Sequence, residues 1–143
     1  MHGAELAGPG HALHLYDDET WMGPFRATFD QAQGFGSLMN QAGLKTNVEE
    51  DPRGAIWSKL IFQSVIAPLT VLVGGTRTNI FVDPHVRALA EDAIQEGKMV
   101  ADRLGVKLLF DPMAMIEQTV SAGAQHRGSM QHEIGRASCR ERV

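Results

Sequence analysis

Cysteine is all but missing from this chain. Its single cysteine, Cys139, lies within the last ten of 143 residues, and once that stretch is set aside as a foreign tail, the disulfide, thiol-nucleophile and thiolate-metal readings all lose their residue. Excess basic charge is missing too. Lys and Arg number 13 against 17 Asp and Glu, a net charge of −4, which argues against a nucleic-acid partner, since that would favour a basic face. The opening "MHGAELAGPG" lacks the basic and apolar regions of a secretory leader, and a cytoplasmic location is expected. The run from Gly54 to Gly75 approaches membrane-spanning length. Ser58, Lys59, Gln63, Ser64, Pro68 and Thr70 interrupt it, and polar groups so spaced are costly in lipid, so no membrane partner is expected.

Several chemical signatures are absent as well. "GFG" at Gly34 to Gly36 falls inside a helical pattern, where glycine serves packing, and "GPG" at Gly8 to Gly10 reads as a turn. Neither is the phosphate-cradling loop between a strand and a helix, so no cofactor-binding residue can be named. His11 and His14 are expected on opposite faces of a strand, and His126 and His132 have no acidic or thiol company, so no metal site is expected. Ser58, Ser64 and Ser129 carry no nucleophile signature.

What is present suits one globular domain: 43% hydrophobic and 21% charged residues. His11 to Gly23 offers two short stretches around Asp17-Asp18-Glu19, expected as a hairpin. A helix is expected from Pro24 to Ala42, with Phe25, Phe29, Ala32, Phe35, Leu38 and Met39 inward and Gly43 as its stop. "LKTNVEED" reads as an extended connector. Asp51 caps and Pro52 opens a long apolar helix running toward Gly74-Gly75, kinked at or before Pro68. A further helix follows the Asp83-Pro84 cap, with Val86, Leu89, Ala93, Ile94, Gly97, Val100 and Leu104 inward and Gly105 as its stop. Another starts at Asp111-Pro112 and fades near Gly123. The strand pair has no sheet of its own, and a lone hairpin is marginal in water, a first hint that the chain is cut from something larger.

Within the long helix, Lys59 is the one charged residue between Arg53 and Arg77. A helix apolar all round is a buried helix, and a buried ammonium must reach water, find a partner or be kept for chemistry. Gln63 lies at i+4 and Ala67 at i+8 on the same face. By periodicity alone, the simpler reading is an exposed edge on which lysine snorkels.

The stretch "WSKLIFQSVIAPLTVLVGGTRTN" resembles a segment of the ketopantoate reductases (2-dehydropantoate 2-reductases), in which a tryptophan, a lysine two residues on, two asparagines at helical spacing and a Pro-Leu-Thr follow in order. "AELAGPGHALHLYDDETWMG" is similar to the last strands of that family's nucleotide-binding domain, and "QAGLKTNVEEDPRGAIW" to its approach to the catalytic helix. "DPHVRALAEDAIQEGKMVADRLGV" is similar to its glutamate-bearing helix and "HRGSM" to its substrate-binding serine motif. The likeness runs from about Gly3 to Gln131, roughly the second half of a family member. It implies a mainly α fold, a helical substrate domain like the C-terminal domain of 6-phosphogluconate dehydrogenase, with a hairpin left over from a truncated nucleotide-binding domain. The implied boundaries are 1–25 for that remnant and 26–133 for the helical domain.

The resemblance also implies the chemistry. Lys59 falls on the catalytic lysine, the general acid that protonates the ketone oxygen of ketopantoate as pantoate forms at the expense of NADPH. Ser129 falls on the serine that binds the substrate carboxylate, Asn79 on an asparagine beyond the helix, and Glu96 on a family carboxylate. Gln63 and Ala67 stand where the family has its two asparagines. Gln63 keeps an amide for the substrate, whereas Ala67 can hydrogen-bond nothing, which leaves a related reductase with a different 2-keto acid open. The implied partners are a small 2-keto acid and a second copy in a homodimer, with NADPH held by a nucleotide-binding domain this sequence lacks, so that the fragment alone is expected to be inactive. The alternative is a non-catalytic helical interaction or dimerisation module.

The last ten residues, "IGRASCRERV" at 134–143, resemble one reading frame of a common sequencing-adapter oligonucleotide. They are set aside as a foreign tail. Without their three arginines and one glutamate, 10 basic side chains face 16 acidic ones.

Overall fold

The computed structural model of the chain describes residues 3–16, 19–76, 81, 83–121 and 130–131. Two compact units are present, Met1–Ala55 and Ile56–Val143. The fold is mainly helical, with a small strand component, as expected.

In the first unit, β1 (Gly3–Gly8) and β2 (His11–Tyr16) form an antiparallel hairpin. Its turn is Pro9-Gly10, because proline presets φ at the first turn position and Gly10 adopts φ +72° at the second. The hairpin expected around Asp17-Asp18-Glu19 is therefore displaced toward the N-terminus. The next strand, β3 (Thr20–Met22), does not pair with β2 but runs parallel to β4 (Thr46–Val48), in register Thr20 to Thr46 and Met22 to Val48. Parallel strands need a crossover, and the crossover is α1 (Phe29–Gln41). The segment read as a connector thus supplies a strand. Glu19 stitches the pair further, accepting from Asn47 Nδ2 at 2.8 Å and pairing with Lys45.

Helix α1 begins five residues later than expected. Thr28 Oγ1 accepts from Gln31 N and Gln31 Oε1 accepts from Thr28 N, a capping box that fixes the start at Phe29 and leaves Pro24 outside. Its buried positions are Ala32 and Gly36. A Cβ at Gly36 would come within 2.4 Å of Val48 Cγ2, so glycine there lets the helix lie on β4. Phe25, Phe35 and Leu38, expected inward, are exposed, because the face that meets the strands is this narrow, small-residue one. Asn40 ties the two together: its Nδ2 donates to Thr46 O at 2.8 Å and its Oδ1 accepts from Thr46 N at 2.9 Å.

The second unit is built on α2 (Arg53–Val73), α3 (Pro84–Arg103) and α4 (Pro112–Ser121). Aspartates at 51, 83 and 111 accept from the first free amides of each helix, as their Asp-Pro pairs announce. Gly74 and Gly105 close α2 and α3 at φ +70° and +65°, a conformation glycine adopts without a Cβ penalty. The core consists of Ile61, Phe62, Val65, Ile66 and Leu69 of α2, with Ala90, Ile94 and Ala101 of α3, Val106, and Ile116 of α4. By length and composition α2 would pass for a membrane span, yet those side chains are buried against the unit. On α3 the inward face is Ala90, Ile94 and Ala101, so Leu89, Val100 and Leu104 are exposed, contrary to expectation. At Gly97 the helix comes close to α2: a Cβ there would lie 2.8 Å from Ile61 Cγ2. At the surface Arg87 pairs with Glu91 one turn along α3 and with Glu117 of α4, the second pair joining the two helices.

Candidate active site on helix α2

Helix α2 carries two chemically different faces. Ser58, Ile61, Phe62, Val65, Ile66, Leu69 and Thr70 recur every three or four residues and are buried. Ile56, Lys59, Leu60, Ser64 and Leu72 are exposed. Gln63 and Ala67 lie between the two, half-buried, one and two turns beyond Lys59. The exposed-edge reading of the lysine therefore holds.

The scaffold under Lys59 is firmly held. Its neighbour Ser58 is fully buried, and Ser58 Oγ accepts from Phe110 N at 3.0 Å, tying α2 to the segment before α4. At the N-terminal end Asp51 accepts from Arg53 N and is clasped by the Arg53 guanidinium at 2.7 to 3.1 Å. The guanidinium's hydrogen bonds hold the Asp51 carboxyl below its ordinary range. At the C-terminal end Gln131 Nε2 donates to Thr70 O and to Gly75 O, both at 2.7 Å. Ser64 and Thr70 turn their hydroxyls back to Ile61 O and Ala67 O, the usual alternative to solvent for such groups in a helix.

One polar atom in this region is anomalous. Gln63 Oε1 is buried and accepts no hydrogen bond among the described residues, a condition that typically costs about 1–3 kcal/mol. It lies one turn, about 6 Å of axial rise, from Lys59 on the same face. Lys59 itself makes no ion pair or side-chain hydrogen bond among the described residues. The exposed Lys59 ammonium can donate to an oxygen-bearing ligand, and the side-chain amide of Gln63 stands one turn away.

The remaining sequence-derived positions separate into two kinds. Glu96 is exposed on α3 and forms no ion pair with Lys59. Asn79 and Ser129 lie outside the described residues, as does 134–143. Among the described residues no group of three or more His, Cys, Asp or Glu converges as a metal site would require. Sequence reasoning passed over Ser58 and Gln131. Their partners are 52 to 61 residues away along the chain, and no local pattern marks them.

The family model "Ketopantoate reductase PanE/ApbA C terminal" matches residues 51–139, which includes α2 to α4. The 2-dehydropantoate 2-reductase of Archaeoglobus fulgidus is 24% identical over 136 residues, 94% of this chain and 46% of that protein. That of Pyrococcus horikoshii is 30% identical over 97 residues, 68% of this chain and 32% of the relative. The chain thus spans about half the length, or less, of the curated relatives it matches. Among solved structures, the 2-dehydropantoate 2-reductase of Geobacter metallireducens superposes with a TM-score of 0.84 at 20% identity, covering 95% of this chain and 46% of that one. A D-mandelate dehydrogenase solved with NADH and anilino(oxo)acetate gives 0.81 at 15% identity over 96% and 46%. A dimeric ketopantoate reductase from Staphylococcus aureus gives 0.72 at 20% identity over 95% and 46%. At such identities the structures speak to the fold, which is shared; the family follows from the match over 51–139, and the chain belongs to the ketopantoate reductases, as their C-terminal domain.

Proposed function

We propose that this chain is the substrate-binding and catalytic half of a 2-keto acid reductase that converts ketopantoate to pantoate with NADPH, and that Lys59 is its general acid. One observation carries the reading: an exposed lysine, unpaired among the described residues, stands one turn from the Gln63 side chain, whose Oε1 accepts no hydrogen bond among them, on the helix that begins the family match. In the reaction the ketone carbon gains a hydride and the oxygen gains a proton. Lys59 Nζ would hold that proton and stabilise the charge growing on the oxygen. Its exposure lets water restore the proton after each turnover.

The other assignments follow from the same resemblance. Ser129 would bind the substrate carboxylate, Gln63 a substrate hydroxyl through its side-chain amide, and Asn79 and Glu96 would complete the surroundings. An alanine at 67 offers no polar partner, which supports testing other 2-keto acids beside ketopantoate. The described residues do not fit a dinucleotide: Gly8 ends β1 and Gly10 lies in the hairpin turn, and Gly34 and Gly36 lie within α1. NADPH would therefore be held outside these residues, and the chain alone would be inactive. Exposed Leu89, Met99, Val100 and Leu104 on α3 support a homodimer as the partner.

The test is a chimera in which this chain replaces the matched region of the Archaeoglobus relative, assayed by NADPH oxidation with ketopantoate and other 2-keto acids. Lys59→Ala should lower turnover about a hundredfold or more, typical of a positioned acid. An inactive chimera that folds would refute the function, and a fully active Lys59→Ala chimera would refute the mechanism.

A further inference from the structure

Ser58 and Thr70 are the two hydroxyl side chains on the buried face of α2, with Ile61, Phe62, Val65, Ile66 and Leu69 between them. Thr70 returns its hydroxyl to Ala67 O within the helix. Ser58 instead reaches another segment: its Oγ accepts from Phe110 N at 3.0 Å, 52 positions along the chain. Alanine would fill nearly the same space with no hydroxyl to satisfy, so packing alone does not call for a serine there. The residue after Phe110 is Asp111, whose carboxylate accepts from the first amides of α4 and from Lys98 Nζ of α3 at 2.7 Å. Two consecutive residues, 110 and 111, thus gather α2, α3 and α4, and the tie meets α2 at the residue directly before Lys59.

Consecutive helical residues point about 100° apart, so fixing Ser58 in the core also fixes where Lys59 emerges at the edge. A rotation of about 20° would carry a group roughly 6 Å from the helix axis through about 2 Å, and a misplacement of about 1 Å can cost on the order of a hundredfold in rate. We propose that Ser58 is a positioning residue for Lys59. Its hydrogen bond to the Phe110 amide sets the rotation of α2 about its own axis, so that the ammonium is aimed at the ketone oxygen before the substrate arrives. This rests on the reductase reading above. The flexible four-carbon stem of lysine recovers part of a lost alignment, so losing the tie costs less than losing the lysine.

The experiment is a double-variant cycle in the active chimera: Ser58→Ala, Lys59→Ala and the two together, with kcat measured at a temperature where circular dichroism shows every variant folded. The expected result is a kcat about tenfold lower for Ser58→Ala where Lys59 is present, and a change within about twofold where Lys59 is already alanine. Ser58→Cys keeps the size with a weaker acceptor. It should fall between the parent and Ser58→Ala, and it carries the cycle if the alanine variant does not fold. A serine that only holds the fold together would cost the same factor in both backgrounds. That outcome, or a kcat unchanged by Ser58→Ala, would overturn the positioning role and leave the reductase reading intact. A folded parent chimera that reduces no 2-keto acid, or a fully active Lys59→Ala chimera, would overturn both.

Discussion

Replacing Gly97 by alanine sets two known effects against each other at the contact between α2 and α3. Alanine favours a helix interior over glycine by about 1 kcal/mol, so on an open surface the substitution would stabilise. Here the new methyl would stand 2.8 Å from Ile61 Cγ2, 3.0 Å from Cγ1 and 3.4 Å from Cβ. Ile61 is 4% exposed and β-branched, with one strongly preferred rotamer in a helix, so it cannot swing aside. Overpacking a core costs roughly 1–3 kcal/mol. The expected net loss is about 1 kcal/mol, or a melting temperature lower by roughly 2–4 °C for a chain of this size. Ile61→Ala alone should cost about 2–5 kcal/mol. It removes both γ carbons and leaves only Cβ, at ordinary contact distance. The double variant should therefore be less destabilised than the sum of its parts by about 1 kcal/mol or more. Urea unfolding followed by far-UV circular dichroism measures all four corners of the cycle. If Gly97→Ala melts at or above the parent temperature, the close approach of α2 and α3 at this point is wrong.

The Asp111 carboxyl is held below its ordinary value of 3.8, chiefly by Lys98 Nζ at 2.7 Å and also by the Met113 and Ala114 amides. A depressed pKa contributes stability above the unfolded value that fades as pH falls through the folded one, so Asp111→Asn, which can still cap α4, should be less stable than the parent near neutrality and equal to it in strong acid. Both side chains are solvent-exposed enough that the gap should stay below about 1 kcal/mol, as thermal melts across pH would record. Thr28→Ala breaks the capping box of α1 and should cost about 1 kcal/mol, whereas Thr28→Ser should be near neutral. Removing 134–143 should leave the melting temperature unchanged if that tail is foreign, although the family match runs as far as residue 139; a drop of several degrees would show that it packs.

Local rules explain what could be read from the sequence. The three Asp-Pro pairs, and the glycines after α1, α2 and α3, specify ends because their effect acts within one turn, and those ends lie where expected. The polar stripe of Lys59 and Gln63 was visible because helical period alone puts them on one face. The choice of β-partner was less accessible. Nothing within "TWM" indicates pairing with "TNV" some 26 residues on rather than with the strand just before it, since that depends on α1 lying across both. The faces of α1 and α3 were read only in part: Ala32, Ile94 and Gly97 were expected inward, but so were Phe35, Leu38, Leu89, Val100 and Leu104, which are exposed, while the buried Gly36, Ala90 and Ala101 were passed over. The unsatisfied acceptor of Gln63 and the double donation of Gln131 depend on atoms brought together by the whole fold, and no spacing rule reaches them.

Pro68 sits inside α2 and brings no amide hydrogen to the ladder, a defect worth about 3 kcal/mol in a helix left to itself. The stretch from Leu69 to Val73 would therefore not persist in an isolated peptide. It is sustained by Leu69 and Thr70 in the core and by the fork from residue 131. In kinetic terms that last turn is expected on the late side of the folding barrier, because part of its support comes from a residue some sixty positions along the chain. Loosening the turn should accordingly hasten unfolding while leaving the refolding rate nearly unchanged.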